Sequence, residues 1–110
     1  MAEKGETAEA VAHFQEALRI DRNFAEAHFN LGIALAKQRK IDPAIIHYRE
    51  ALRIKPNDAE AHNNLGNALL EQGNIAGAIA HYREALRIEP DNAAARHNLD
   101  IALAIQKKPR

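Results

Sequence analysis

The chain has 110 residues, 46 % hydrophobic but only 5 % aromatic, so we expect one domain with a core of small and aliphatic side chains. Fifteen basic residues balance fifteen acidic ones, which argues against a nucleic-acid partner, because nucleic acids require a basic surface. The chain lacks cysteine, a signal sequence and any apolar run long enough for a membrane span. We therefore expect no membrane association and a cytoplasmic location.

Six helices are predicted from apolar residues at helical spacing and from the turn residues between them. In chain order they cover about residues 7–20, 25–38, 43–54, 59–72, 76–88 and 93–106. Asp42 followed by Pro43 predicts an N-cap and the first residue of the third helix. Asp58 is predicted to cap the fourth helix, and Gly73 to form the turn that follows it.

A period of 34 residues organises the chain. Residues 25–58 and 59–92 align without a gap and are identical at 22 of the 34 positions. The flanking segments fit the same frame, so the predicted layout is a half repeat with only its second helix (7–24), two full repeats (25–58 and 59–92), a capping helix (93–106) and a basic tail (107–110). Such a period indicates a solenoid, in which each repeat buries its apolar face against its neighbours.

This pattern resembles the tetratricopeptide repeat (TPR), a 34-residue unit with the signature W-x2-L-G-x2-Y…A-x3-F…P. The first full repeat matches it with His28-x2-Leu31-Gly32-x2-Leu35…Ala44-x3-Tyr48…Pro56, and the second with the residues 34 positions later. The resemblance implies an all-α, right-handed superhelical solenoid of antiparallel helix pairs, with about six helices. It also implies a protein-interaction scaffold that binds an extended peptide or a partner helix in a concave groove.

Several signature positions have a packing role. Gly32 and Gly66 lack a Cβ, so we expect the two helices of each repeat to approach closely there. The aromatic rings of Phe14, Tyr48 and Tyr82 are predicted to fill the space between adjacent repeats. Asp100 occupies the glycine position of the last half repeat, which predicts that helix 93–106 faces solvent as a cap.

Asparagine recurs at one position of the first helices, in Asn30, Asn64 and Asn98. By resemblance to the family, this position points into the groove, as in the asparagine ladder of the TPR region of O-GlcNAc transferase. Each carboxamide has one acceptor and two donors, enough to pair with both sides of a peptide group. The other predicted groove residues are Phe29, Ile33, Lys37, Asn63, Asn67, Glu71, His97 and Ile101.

An alternative function uses the first predicted helix instead of the groove. That helix lacks the partner helix that the repeat would give it, so Val11, Phe14 and Leu18 are expected to be partly uncovered. This predicts either a fragment of a longer array or weak self-association through these residues. The chain would then be a structural or self-assembly module.

Two other kinds of site are disfavoured. A TPR subclass grips the terminal carboxylate of chaperone peptides with basic and asparagine side chains, but Phe29, Ile33 and Ala94 stand at its positions here and only Asn64 matches. The six histidines recur at the repeat spacing, which is typical of structural residues and not of zinc ligands around one centre. The sequence has no serine and no catalytic or phosphate-binding motif, so we expect no enzyme activity, no cofactor and no metal site.

Overall fold

The computed structural model describes residues 2–108, with side chains from Gly5 onwards, and shows six helices and no strand in this part of the chain. The prediction of an all-α helical repeat is confirmed. The helices are α1 (Ala2–Ile20), α2 (Ala25–Lys37), α3 (Ile41–Ile54), α4 (Ala59–Gln72), α5 (Ile75–Ile88) and α6 (Ala93–Lys107). They form two compact units, α1–α3 and α4–α6, which divide between Pro56 and Asn57. No helix among the described residues has the length and apolar character needed to cross a membrane.

The starts of two helices differ from the predictions. Helix α1 begins at Ala2, not at residue 7, and continues through Gly5, which aligns with the turn residue Gly73. The alanine, lysine and glutamates of residues 2–6 favour a helix, so they outweigh the single glycine at position 5. Helix α3 begins at Ile41 with Lys40 as its N-cap, so the prediction of Asp42 as the cap is wrong. Pro43 is instead the third helical residue, still within the first turn, where its missing N–H leaves no donor unsatisfied.

The second unit has well-capped helices. The side-chain oxygens of Asp58, Asn74 and Asn92 accept hydrogen bonds from the backbone N–H groups three residues later, at 2.9–3.1 Å. Gly73 ends α4 with a φ of 94°, in the left-handed region that glycine adopts without strain. The predicted cap at Asp58 and turn at Gly73 are thus both present.

Each full repeat buries a tyrosine ring against a glycine of its own first helix. A Cβ built on Gly32 would lie 2.6 Å from Cε1 of Tyr48, and one on Gly66 would lie 2.6 Å from Cε1 of Tyr82. Each ring therefore packs against the first helix of its own repeat. The prediction that the rings also fill the space between adjacent repeats remains a prediction. Glycine is required at these positions to make room for the ring.

Aliphatic and small residues complete the core of each unit. In the first unit α2 and α3 bury Leu31, Leu35, Ala44, Ile45 and Ala51, and in the second α4 and α5 bury the residues 34 positions later. Helix α6 packs against α5 and α4 and buries Ala95, Leu99 and Ala102. Alanine predominates at these contacts, so the helix axes can lie close together.

The charged residues lie outside this core. Glu16–Arg19, Glu50–Arg53 and Glu84–Arg87 form exposed ion pairs at 2.6–3.0 Å, as the i, i+3 spacing indicates. At the end of the chain Lys107 is the last residue of α6, one residue beyond the predicted boundary. Of the predicted basic tail, residues 109–110 lie outside the described residues, as does Met1.

Candidate functional site

The second unit brings two asparagines of neighbouring first helices into contact. The Nδ2 atom of Asn98 on α6 donates a hydrogen bond to Oδ1 of Asn63 on α4, over 3.1 Å. Both side chains are half-buried. One donor of Asn98 is therefore used within the protein, while its Oδ1 and its second N–H stay available.

The other two asparagines of the predicted series have free carboxamides. Asn64 on α4 and Asn30 on α2 are half-buried. Neither side chain hydrogen-bonds to another residue of the described part of the chain. A half-buried carboxamide without an internal partner has to be satisfied by water or by a ligand.

A buried tyrosine orients Asn67 in the second unit. The Oη–H of Tyr82 donates to Oδ1 of Asn67 over 2.6 Å, and burial of the phenol raises the pKa of Tyr82 to about 12. The phenol therefore stays protonated at neutral pH and keeps donating. With its oxygen held in this way, the Asn67 carboxamide can direct its two N–H donors towards solvent.

The first unit presents an apolar surface at the same positions. Ile33 stands where Asn67 stands in the second unit, and Phe29 where Asn63 stands. The Phe29 ring lies 6.1 Å from the ring of Tyr48, at an interplanar angle of 50°. Burial also raises the pKa of Tyr48 to about 12. The two units thus combine one fold with different surface chemistry.

The remaining predicted groove residues are exposed. Ile101 on α6 is 42 % exposed, and Ile105 one turn later is 40 % exposed. These two side chains give α6 a small apolar surface beside the polar residues. The others in this exposed group are Lys37, Glu71 and His97.

A cavity of about 730 Å³ lies between α1 and α2 in the first unit. Helix α1 lines it with Thr7, Ala10 and Phe14, and α2 with Asn30, Ile33 and Lys37. It therefore brings together Phe14, predicted for self-association, and three residues predicted for the groove. Val11 and Leu18, the other residues of the predicted self-association face, are half-buried like Phe14.

Each full repeat also contains a pair of histidines that the sequence analysis did not identify. The Nδ1 atoms of His28 and His47 lie 3.1 Å apart, and those of His62 and His81 lie 3.0 Å apart, with stacked rings in both pairs. The partners are 19 residues apart, so they come from different repeat positions. The signal in the sequence was that both positions hold histidine in both full repeats.

The first pair has a defined proton arrangement. Nε2 of His28 lies 2.9 Å from the carbonyl oxygen of Arg22, which can only accept, so this nitrogen carries the hydrogen. In a neutral His28, Nδ1 is then an acceptor, and His47 must donate through its own Nδ1–H. Among the described residues, no group of three or more His, Asp or Glu side chains could hold a metal ion.

Comparison with models of protein families identifies the family of this chain. A model described as "TPR repeat" matches residues 2–39 and 40–73, and a model described as "Tetratricopeptide repeat" matches residues 59–92. The chain belongs to the tetratricopeptide repeat family. The TPR fold is generally a non-catalytic protein-interaction domain. No curated protein matches the chain significantly.

Solved TPR structures have the same fold. The first TPR of Spaghetti (RPAP3), bound to the HSP90 peptide SRMEEVD, superposes with a TM-score of 0.92 at 19 % identity, over 96 % of this chain and 84 % of that one. The Arabidopsis OM64 TPR domain superposes with a TM-score of 0.86 at 23 % identity, over 92 % and 84 %. An O-GlcNAc transferase mutant from Thermobaculum terrenum gives a TM-score of 0.84 at 28 % identity, over 91 % of this chain but only 19 % of the transferase.

Proposed function

We propose that this TPR chain is a non-catalytic interaction module that binds an extended peptide, mainly through the peptide backbone. The observation that carries the proposal is the group of amides on the second unit. Asn64 has no hydrogen-bond partner among the described residues, Asn67 is oriented by Tyr82, and Asn98 keeps an acceptor and a donor beyond its bond to Asn63. Asn30 supplies the same chemical group in the first unit.

The chemistry of these amides favours the backbone as the ligand group. A carboxamide matches the donor and acceptor of a peptide group and carries no charge, so it places little demand on the ligand's side chains. Side-chain preference would come from the residues that differ between the repeats. Phe29 and Ile33 favour apolar ligand residues in the first unit, whereas Asn67 and Glu71 favour polar or basic ones in the second.

A peptide ligand agrees with the complex of the Spaghetti domain with an HSP90 peptide, but the residues of this chain do not favour an acidic C-terminal peptide. Recognition of a terminal carboxylate depends on cationic donors. Phe29, Ile33 and Ala94 are uncharged at the positions where a clamp of this kind has basic or amide side chains.

The test is a peptide-array screen with the double variant Asn64→Ala and Asn67→Ala. Peptides that bind the unmodified chain should lose at least about tenfold in affinity for the variant, since two or more hydrogen bonds are lost. Glu60→Ala is the matched control, because Glu60 is an exposed residue of the same helix. Equal binding by the double variant and the unmodified chain would refute the proposal.

Self-assembly through α1 is the second candidate function. It is favoured by Val11 and Phe14, which are half-buried, whereas the residues 68 positions later, Ile79 and Tyr82, are 5 % and 0 % exposed. Light scattering over a concentration series tests it. A strict monomer at high concentration would eliminate this candidate, and a concentration-dependent mass that Phe14→Ser abolishes would support it.

A further inference from the structure

The tyrosine rings of the two full repeats pack in the same way on their glycines. A Cβ built on Gly32 would lie 2.6, 2.7 and 3.1 Å from Cε1, Cδ1 and Cζ of Tyr48. One built on Gly66 would lie 2.6, 2.8 and 3.1 Å from the same atoms of Tyr82. Since a phenol ring is rigid, the two hydroxyl groups lie at equivalent places beside the first helix of their repeats.

Only the second unit has an acceptor at this place. There the Oη–H of Tyr82 donates to Oδ1 of Asn67 over 2.6 Å. The residue 34 positions earlier is Ile33, whose side chain cannot accept a hydrogen bond. The Tyr48 hydroxyl forms no hydrogen bond with any other residue in the described part of the chain. Its donor therefore has to be satisfied by water or by a ligand.

The Tyr48 hydroxyl combines deep burial with contact to solvent. Tyr48 is 3 % exposed, and the Phe29 ring lies 6.1 Å from its ring. Among the described residues, the one fully enclosed side-chain oxygen or nitrogen without a partner is Oε1 of Gln38, so the Tyr48 oxygen is still accessible. Burial raises the pKa of Tyr48 to about 12, so the phenol keeps its hydrogen at neutral pH.

We propose that the Tyr48 hydroxyl is a specificity subsite for the side-chain carboxamide of a glutamine in the bound peptide. It would donate to the amide oxygen of that glutamine, as Tyr82 donates to the amide oxygen of Asn67 in the second unit. The subsite rests on the proposed peptide-binding function. Asn30 lies one turn before Ile33 on α2, so a peptide backbone bound by Asn30 passes close to the subsite.

The surroundings of the hydroxyl favour a long, uncharged acceptor. Because Tyr48 is 3 % exposed, a side chain can extend to its oxygen, whereas a backbone carbonyl held at the surface by Asn30 cannot. A glutamate carboxylate would lose water beside Phe29 and Ile33, which is unfavourable for a charge. Glutamine has two methylene groups that can pack on these apolar side chains, and an uncharged acceptor at its end.

The first test needs no ligand. Tyr82→Phe should lower the midpoint of urea unfolding, because Asn67 loses its donor. Tyr48→Phe should not lower the midpoint, since no bond within the protein is lost. An equal decrease in both variants would mean that the Tyr48 hydroxyl has a partner within the protein, and would overturn the proposal.

A random nonapeptide library displayed on phage is the probe for binding. Peptides captured by the unmodified chain should be enriched in glutamine at one position. Tyr48→Phe removes the donor, and Ile33→Asn supplies the internal acceptor that Asn67 supplies in the second unit, so both variants should lose this enrichment. Arg49→Ala, at an exposed residue next to Tyr48, is the control and should retain it.

A captured glutamine peptide and its norleucine analogue measure the contact itself. In fluorescence anisotropy, Tyr48→Phe should bind the glutamine peptide roughly two- to tenfold more weakly than the unmodified chain does, the effect of one hydrogen bond. The norleucine analogue should bind both proteins equally. If Tyr48→Phe weakened both peptides to the same degree, the substitution would act through the fold, and the subsite would be refuted.

The outcomes distinguish the subsite from the peptide-binding function. Captured peptides without a glutamine preference, or with a preference for glutamate, would refute the subsite and leave the function in place. If no peptide of the library bound the unmodified chain, the peptide-binding function would be refuted, and the subsite with it.

Discussion

At the residue scale, each full repeat holds two histidine rings in direct contact. Nδ1 of His28 and Nδ1 of His47 are 3.1 Å apart, so one hydrogen lies between them. The pair can accept one more proton, on Nε2 of His47. Hydrogens on both Nδ1 atoms would clash, because only one fits between these two atoms. The titratable groups that shift the pKa of His47 are His28 on α2 and Glu50 on α3.

This geometry predicts a pH dependence of stability. Burial, and then the proximity of His28, lower the pKa of His47 below its usual 6.5, while Glu50 opposes the shift. The unfolded chain therefore binds the proton more readily. The contribution of the pair to the free energy of unfolding is complete above pH 6.5 and declines as the pH falls from there to the lowered pKa.

Urea unfolding at about pH 7.5 and pH 5 measures this effect. His47→Asn keeps an amide near the position of Nδ1 but cannot be protonated, so the loss of stability on acidification should be smaller than in the unmodified chain. His97→Asn is the control for replacing a histidine outside the pairs, because His97 is exposed on α6. An equal pH dependence in the His47→Asn variant would contradict this account.

At the element scale, the contact between a glycine and a tyrosine ring sets the spacing of the two helices in each repeat. Tyr82 is fully buried, its hydroxyl is held by Asn67, and a Cβ on Gly66 would lie 2.6 Å from its ring. The ring therefore cannot move aside without losing a hydrogen bond. The helices would have to separate to accept any side chain at this glycine.

We expect Gly66→Leu to lower the free energy of unfolding by about 1–3 kcal/mol or more, as overpacked core substitutions do. Thermal or urea denaturation measures the change. Gly5→Ala is the matched control: a Cβ there would meet no atom within 4 Å, and alanine within a helix should add about 0.5–1 kcal/mol of stability. A melting temperature unchanged by Gly66→Leu would show that the contact is looser than described.

The ends of the elements show where sequence patterns were insufficient. Asp58 and Gly73 act as predicted, because a cap and a left-handed turn depend on local backbone geometry. The starts of α1 and α3 were predicted wrongly. Whether a helix continues past Gly5, or begins before Pro43, depends on the packing of neighbouring helices, which no local pattern contains.

At the scale of the whole molecule, Asp100 determines which side chains can pack against α6. In both full repeats the corresponding position is a glycine that receives an aromatic ring. Asp100 is exposed, and its carboxylate disfavours an aromatic ring from another chain. The predicted capping role of α6 thus depends on this one side chain and remains a prediction.

Replacing Asp100 by glycine should promote head-to-tail association. Phe14 of one copy could then pack on residue 100 of the next, as Tyr82 packs on Gly66, and such a heterologous contact extends from copy to copy. Sedimentation velocity should show an association constant at least about tenfold higher for Asp100→Gly than for the unmodified chain.

Asp91→Gly, in the exposed turn before α6, is the control and should leave the mass unchanged. Adding Phe14→Ser to Asp100→Gly should restore the original mass. A persistent monomer in the Asp100→Gly variant would mean that Asp100 does not limit association.

The sequence by itself determined the repeat, the six helices and the positions that pack. A 34-residue period with two glycines, several alanines and aliphatic residues at helical spacing leaves few alternatives, because helix periodicity alone defines which face is buried. It also indicated the differences between repeats, such as Phe29 against Asn63 and Asp100 against Gly66.

Only the tertiary structure decided which atoms meet across helices. The bond from Asn98 to Asn63, the bond from Tyr82 to Asn67 and the contact of His28 with His47 join residues 15–35 positions apart, on different helices. Periodicity places each side chain on a face, but the axial shift and rotation of one helix against another select its partner. The cavity between α1 and α2 also depends on tertiary packing, because residues of two helices line it together.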